Sequence, residues 1–164
     1  MRKRDTRGFT LIELAVVVAI IGVLSSVAIA GFMRHIRSAK QSEAVIQLNR
    51  IAKNAKTYYT MNIAFPQGTA AVLPGADGTA CANKTKKFAV TNAWVANSVW
   101  TELDFQIAEP SYYSYHYAST SRTDAEAIAV ADLDCDGTLG TYRLILSVPK
   151  NAPVAEVVAP IDPE

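Results

Sequence analysis

The sequence predicts an α+β fold. We expect a long N-terminal helix that is apolar and protruding in its first half and amphipathic in its second half, which packs on a small antiparallel sheet of about four strands. Three observations support this: an apolar run over residues 11–30, helical spacing of apolar residues beyond it, and strand-like runs in the C-terminal part. The 164 residues suffice for one folded head with an accessory element.

The apolar run contains one charged residue, Glu13, and no proline. As a helix, about 20 such residues span the roughly 30 Å of a bilayer core. Residues 1–8, which precede the run, carry four bases and one acid. Because a basic flank of this kind stays in the cytoplasm, we expect a single membrane span whose head faces away from the cytoplasm.

Helical periodicity continues after the apolar run. Apolar side chains recur at steps of three and four residues, with polar side chains on the other faces. The predicted stripe consists of Ala44, Val45, Leu48, Ile51, Ala52, Ala55 and Tyr58 or Tyr59. The sequence therefore predicts one continuous helix from about residue 10 to 61, roughly 75 Å long.

The order of segments at the N-terminus differs from that of a secretory signal, in which cleavage follows the apolar region. Here Gly8 and Phe9 precede the apolar run, and Glu13 is the fifth residue after Gly8. This arrangement resembles the prepilin processing motif of type IV pilins and type II secretion pseudopilins. The resemblance implies that a membrane peptidase cleaves after Gly8 and methylates the new amino group of Phe9.

The resemblance also implies a division of the chain. Residues 1–8 form a leader, 9–31 a transmembrane and filament-core segment, 32–61 an amphipathic helical segment, and 62–164 a globular head with a variable loop, a sheet and a Pro-rich tail. Glu13 is costly in a lipid-facing helix, by about 2–3 kcal/mol. Snorkelling to the interface is one explanation, whereas the resemblance implies pairing with the N-terminal amine of a neighbouring subunit during assembly.

Two cysteines, Cys81 and Cys135, lie in the part expected to be exported. An oxidising compartment favours a disulfide between them, and two unrelated buried thiols are the alternative. Closing this loop would stabilise the head by roughly 4 kcal/mol.

Three acids, Asp132, Asp134 and Asp136, alternate before Gly137, as at the start of an EF-hand calcium loop. The twelfth position of such a loop, normally glutamate, is Arg143 here. Two interpretations follow: a tight turn between strands with solvated acids, or a calcium site that recruits other oxygens.

In the head, a long loop is expected from Asn62, and four strand-like runs predict an antiparallel meander. These runs cover residues 93–100, 112–118, 125–132 and 142–148, and the tail over 149–164 is predicted to be an extended or mobile strap. The tyrosine-rich run around Tyr112 to Tyr117 is expected to divide between the core and the surface, because alternate strand residues face opposite sides.

The sequence contains no nucleophile motif, phosphate-binding loop or catalytic metal set, so we do not expect an enzyme. His35 and His116 do not suggest a catalytic or metal role. The bases of residues 34–56 fit a solvated helix face, so nucleic acid is not expected as a direct ligand.

We expect a structural subunit of a type IV pilus-like filament that supports adhesion, motility or DNA uptake. Its expected partners are other copies or other pilins, the prepilin peptidase, an inner-membrane assembly platform and, before assembly, the membrane. The filament would be extracellular or periplasmic, and no cofactor is required, with calcium as the possible addition. The alternatives are a type II secretion pseudopilin and a membrane-tethered binding domain.

Overall fold

The structure, a computed structural model, describes residues 9–159. The predicted leader and the last five residues of the predicted strap lie outside the described residues. The chain divides into two compact units, Met1–Ser38 and Ala39–Glu164.

One helix, α1 (Leu11–Asn62), contains 52 residues and belongs to both units. Its bounds confirm the prediction of a single long helix over residues 10–61. In the first unit its apolar side chains are exposed, Leu24 by 65%. One window of this helix has a mean hydropathy of 2.6, and none of it is buried. By length and composition, the helix is long and apolar enough to cross a membrane.

In the second unit, α1 buries one stripe of side chains. The buried residues are Ala44, Leu48, Ile51, Ala52 and Ala55. Val45 was predicted to belong to this stripe, but it is 36% exposed. Neighbouring helical residues are about 100° apart around the axis, so a narrow stripe that buries Ala44 turns Val45 towards solvent.

The head contains one antiparallel sheet with strands β1 (Ser114–Ser119), β2 (Ala125–Ala131), β3 (Gly140–Ser147) and β4 (Val154–Val158). The strands lie in the order β1-β2-β3-β4, which confirms the predicted meander. The register pairs Tyr117 with Ala127 and Ala127 with Leu144. These inward residues share one core with the buried stripe of α1.

One element prediction was wrong. Residues 93–100 do not form a strand but a 3-10 turn, Ala93–Ala96, followed by the short helix α2 (Ser98–Glu102). The Asn97 side chain accepts a hydrogen bond from the Trp100 backbone N–H at 3.2 Å and thereby caps α2. Trp94 and Trp100 are both buried and meet edge to face at 5.3 Å between ring centroids.

The fourth strand instead lies in the tail that was predicted to be a strap. β4 pairs with β3, and Ile145 lies opposite Glu156. The described part of the tail is therefore extended, which is one of its two predicted forms, because its backbone satisfies hydrogen-bonding groups along the edge of β3. Its side chains alternate between exposed and half-buried positions, so little in their hydrophobicity marks them as a strand.

The tyrosine-rich run divides as expected. Tyr113, Tyr115 and Tyr117 are buried, whereas Tyr112 and His116 are half-buried. The buried rings extend an aromatic core that includes Trp100 and Phe105.

Candidate functional site

The N-terminal end of α1 is held by a reciprocal capping arrangement. Glu13 Oε2 accepts hydrogen bonds from the Thr10 backbone N–H at 2.9 Å and from Thr10 Oγ1 at 2.7 Å. Thr10 Oγ1 in turn accepts from the Glu13 backbone N–H at 3.3 Å. This is a capping box, in which Thr10 is the N-cap and Glu13 occupies the third helical position. The Thr-x-x-Glu spacing at residues 10–13 is its sequence signal, which the sequence analysis missed.

The capping box gives Glu13 a role within its own chain. A carboxylate in the first turn also opposes the positive end of the helix dipole. Beside it, Phe9, Ile12, Val16 and Val17 line an open apolar groove of about 360 Å³ together with Glu13. Phe9 itself is 74% exposed. The site thus combines an acidic group with apolar side chains that no described residue covers.

The arrangement leaves Glu13 able to receive a second donor. Both Thr10 hydrogen bonds end on Oε2, and within residues 9–159 no hydrogen bond reaches Oε1. An amine could therefore bind at Oε1 while the cap stays in place. Gly8 lies outside the described residues, so cleavage after Gly8 and methylation of Phe9 stay predictions, as does the assembly role of Glu13.

Farther along α1, Glu43 is an acid that the sequence analysis did not single out. Its Oε1 accepts a hydrogen bond from the Tyr112 backbone N–H at 3.0 Å. Burial raises the pKa of Glu43, while this hydrogen bond and the charge of Lys87 act in the opposite direction. Burial, together with the charge of Glu43, raises the pKa of Tyr115 well above its ordinary value. Glu43 therefore links α1 to the start of β1.

The predicted disulfide is confirmed. Cys81 and Cys135 are bonded, with 5.7 Å between their Cα atoms. The bond joins the long loop after α1 to the turn between β2 and β3. This turn is also contacted by α1, because Lys40 Nζ donates to the Leu133 carbonyl at 2.9 Å.

The structure brings Asp132, Asp134 and Asp136 together, with carboxylate oxygens that lie within 4.8 Å of one another. Asp132 accepts backbone hydrogen bonds from Cys135 at 2.6 Å, Asp136 at 3.2 Å and Gly137 at 3.0 Å. These bonds favour the interpretation as a tight turn, with Asp132 as its internal cap.

The residue at the twelfth position of the calcium-loop pattern has a different partner. Arg143 lies on β3 and pairs with Glu126 on β2. Calcium binding stays a prediction, and any ion would use oxygens of the three acids without help from this position.

His116 has an acidic partner. Asp77 Oδ1 lies 2.7 Å from His116 Nε2 and also accepts a hydrogen bond from Ser114 Oγ. Ser114 is buried, and its Oγ also lies 3.2 Å from the Val130 carbonyl oxygen. These contacts hold the loop that contains Asp77 against β1. Their role is therefore structural.

Comparison with known proteins bears on the N-terminal segment described above. A family model described as "Prokaryotic N-terminal methylation motif" matches residues 3–29. The type IV major pilin protein PilA of Myxococcus xanthus is 46% identical over 54 residues, which make up 33% of this chain and 24% of the relative. The N-terminal part of this chain is therefore similar to that of type IV major pilins.

Other pilins show similar, partial matches. The type IV major pilin protein PilE1 of Neisseria gonorrhoeae is 43% identical over 56 residues, covering 34% of this chain and 33% of the relative. The fimbrial protein EcpC of Eikenella corrodens is 34% identical over 71 residues, or 43% of this chain and 46% of the relative. The chain thus matches less than half the length of these pilins, and no solved structure matches it.

Proposed function

We propose that this pilin is a structural subunit of a type IV pilus-like filament, assembled through the first half of α1. The observation that carries the proposal is the site at the start of α1, where Glu13 lies among exposed apolar side chains within the segment that matches the methylation motif. Exposed apolar surface is stabilised by transfer out of water at about 25 cal/mol per Å². Lipid before assembly and neighbouring helices after assembly would provide that environment.

Processing is the first step of the proposal. A prepilin peptidase would cleave between Gly8 and Phe9 and methylate the amino group of Phe9. This removes four bases and one acid from the chain. The proposed division is then a leader over residues 1–8, a filament-core segment over 9–31, an amphipathic segment over 32–61, and a head over 62–164.

Assembly is the second step. In an apolar filament core, an unpaired carboxylate and an unpaired amine are both costly, and each reduces the cost of the other when they meet. The amine of one Phe9 would bind Glu13 of a neighbouring subunit, which sets the axial register between helices. The proposed partners are further copies or other pilins, the peptidase and an inner-membrane assembly platform.

The named relatives favour a surface pilus over a type II secretion pseudopilus, because they are major pilins and fimbrial proteins. We therefore place the precursor in the inner membrane and the product outside the cell, where it would serve adhesion, motility or DNA uptake. The proposed role is structural and requires no cofactor.

The test separates the charge of Glu13 from its cap. Glu13→Gln keeps a capping-box side chain but removes the charge, whereas Thr10→Ala removes the N-cap side chain and keeps the charge. We expect Glu13→Gln to lower sheared filaments by about tenfold or more, since the charge pair is lost. Thr10→Ala should stay within about twofold of wild type, because a lost cap costs only about 1 kcal/mol.

In the same experiment, the intact mass of the subunits is measured in the sheared fraction and in the membrane fraction. Subunits in both fractions should begin with methylated Phe9. Normal assembly of Glu13→Gln, or a stronger defect in Thr10→Ala, would show that Glu13 acts as a cap. A membrane-bound chain that retains residues 1–8 beside an active peptidase would contradict the whole proposal.

Calcium at Asp132, Asp134 and Asp136 is a separate prediction within this function. If the ion binds, 1 mM calcium, about the level that weak extracellular sites require, should raise the melting temperature of the wild-type head. Asp134→Asn should abolish the increase. Equal melting curves with calcium and with a chelator would leave the turn interpretation as the correct one.

A further inference from the structure

A basic turn interrupts an otherwise acidic head. After residue 56 the chain has six bases and twelve acids, and three of these bases lie within residues 84–87. Lys84 and Lys86 are exposed, and no carboxylate of residues 9–159 forms an ion pair with them. Lys87 lies over the Tyr112 ring at 4.4 Å from its centroid. We call residues 83–87 the lysine turn.

The lysine turn has a fixed geometry. The Asn83 side-chain amide donates to the Lys87 carbonyl at 2.8 Å, and the Lys86 N–H donates to the Asn83 carbonyl at 2.9 Å. The next residue, Phe88, is buried and exchanges two backbone hydrogen bonds with Ser111 at 2.8 and 3.2 Å. A partner would therefore meet lysines on a pre-organised backbone, which lowers the entropy cost of binding.

An open groove of about 590 Å³ lies beside these lysines. It is lined by Asn83, Thr85, Lys87, Phe88, Ala89 and Pro110. Its lining is largely apolar and includes no acid, and one of its polar groups is cationic. Such a groove fits an exposed apolar side chain that is accompanied by carboxylates.

The same head carries a surface of this kind at the end of α2. Glu102 and Asp104 are exposed two positions apart, and no basic side chain of residues 9–159 pairs with them. Glu102 has one partner of its own chain, because the Tyr58 hydroxyl forms a hydrogen bond with its carboxylate. Val95 is 70% exposed and lines, with Asp104, a shallow depression of about 120 Å³. We call Val95, Glu102 and Asp104 the acidic knob.

Four other acids of the head have partners within their own chain. Asp77 binds His116, Asp124 binds Ser121 and Thr123, Glu126 binds Arg143, and Asp132 caps its turn. The acidic knob therefore differs from these acids in combining two carboxylates with an exposed apolar side chain.

We propose that the lysine turn and its groove bind the acidic knob of a second copy of this chain. This inference rests on the proposed filament function, because a polymer brings the heads of many copies together. The two surfaces are different, so the contact is heterologous and repeats from copy to copy, as in an open filament. Complementary charges would also select the orientation of the incoming head.

Charge exchange tests the contact in the full chain. One variant is Lys84→Glu with Lys86→Asn, and the other is Glu102→Lys with Asp104→Asn. Asparagine is used where φ is +53° at Lys86 and +45° at Asp104, because it tolerates that conformation. Each variant should lower sheared filaments by about tenfold, since like charges then face each other. The combined variant should recover to within about threefold of wild type.

The matched control is Arg122→Glu with Lys150→Asn. It changes the net charge by the same amount as the lysine variant, and Lys150 also has a positive φ of 55°. This control should assemble like wild type. A lysine variant that assembles normally, or a combined variant no better than its parents, would overturn the proposal.

Cross-linking gives a readout that does not require filaments. Isotopically mixed full-length chains, in filaments or in membranes, are treated with a carbodiimide that joins Lys to Glu or Asp. We expect intermolecular links from Lys84 or Lys86 to Glu102 or Asp104. Filaments without these links would refute the docking surface and leave the filament function standing. The links without filaments would support the surface and count against the filament function.

Discussion

Leu24 and Leu48 lie on the same helix, but Leu24 is 65% exposed and Leu48 is fully buried. In the half of α1 that belongs to the first unit, apolar side chains occupy every face. In the half that belongs to the second unit, they form one stripe that shares a core with the sheet. The two halves have the same regular backbone, so backbone conformation does not account for the difference.

The comparison shows that hydrophobicity has two different uses in this chain. The stripe of the second half stabilises the head, and its effect can be measured as a free energy of unfolding. The apolar faces of the first half stabilise nothing within the described chain. Their contribution arises in lipid or between subunits, so it must be measured as insertion or assembly.

The largest effect on the head is expected from removing the disulfide. Replacing both Cys81 and Cys135 by serine should lower the free energy of unfolding by about 4 kcal/mol, because a loop with a sequence separation of 54 is no longer closed. Denaturant titration of the full chain in detergent, followed by near-ultraviolet circular dichroism, measures this loss. Helix content contributed by residues 11–38 should stay unchanged, and its loss would show that the two units unfold together.

A matched pair of leucines tests the comparison directly. Leu48→Ala leaves a cavity in the core and should destabilise the head by about 3 kcal/mol. Leu24→Ala removes the same atoms from an exposed site and should not change the unfolding transition. In filament assembly the order of the two effects should be reversed. Among chains that remain folded, Leu24→Ala should lower assembly more than Leu48→Ala does. Equal unfolding midpoints would refute the assignment of separate uses.

The turn between β2 and β3 is the next test. Asp132→Ala leaves three backbone N–H groups without their acceptor and should cost about 2 kcal/mol. Asp132→Asn keeps the Oδ1 acceptor for Cys135 and Asp136, so about half of that loss is expected. Thermal unfolding in a chelator excludes a contribution from calcium. A loss seen only when calcium is present would favour a metal ligand over a cap.

The smallest effect is expected from Glu43→Gln. Burial raises the pKa of Glu43 above its ordinary value of 4.5, so the folded chain binds the proton more tightly than the unfolded chain. The contribution of Glu43 to stability should therefore be greatest below pH 4.5 and be lost as the pH rises through the raised pKa. The glutamine variant should lose this slope, a change of about 1 kcal/mol or less since the group is only half-buried.

Exposed Glu109 provides the control for this measurement. Glu109→Gln should leave the pH dependence of unfolding as it is in the wild type. If both variants flatten the slope equally, the effect comes from net charge and the link between Glu43 and Tyr112 has no special part in it.

Periodicity and motif spacing predicted much of this fold, including the length of α1, three strands, the disulfide and the group of three acids. They failed where local preference and tertiary context disagreed. Residues 93–100 have strand-like composition, but a cap at Asn97 and packing of Trp94 against Trp100 favour helical turns. β4 has few buried side chains, so its pairing with β3 could not be inferred from alternation.

At the candidate site, the sequence identified Glu13 but not its hydrogen bonds with Thr10. The spacing of a capping box was present, yet its geometry depends on where the helix begins. Glu43 was overlooked for a related reason, since a glutamate on an amphipathic helix is usually solvated. Its burial and its contact with Tyr112 depend on residues 69 positions apart in the chain.

The sequence by itself determined the features that depend on local order: an apolar helical segment, the similarity of residues 3–29 to an N-terminal methylation motif, and an amphipathic continuation. These follow from covalent spacing, because a helix repeats every 3.6 residues whatever surrounds it. The tertiary structure alone decided which residues of the stripe are buried and which segment forms the fourth strand. It also decided which acids form hydrogen bonds or ion pairs within the chain. Those outcomes depend on contacts between residues distant in sequence, where packing and desolvation outweigh local preference.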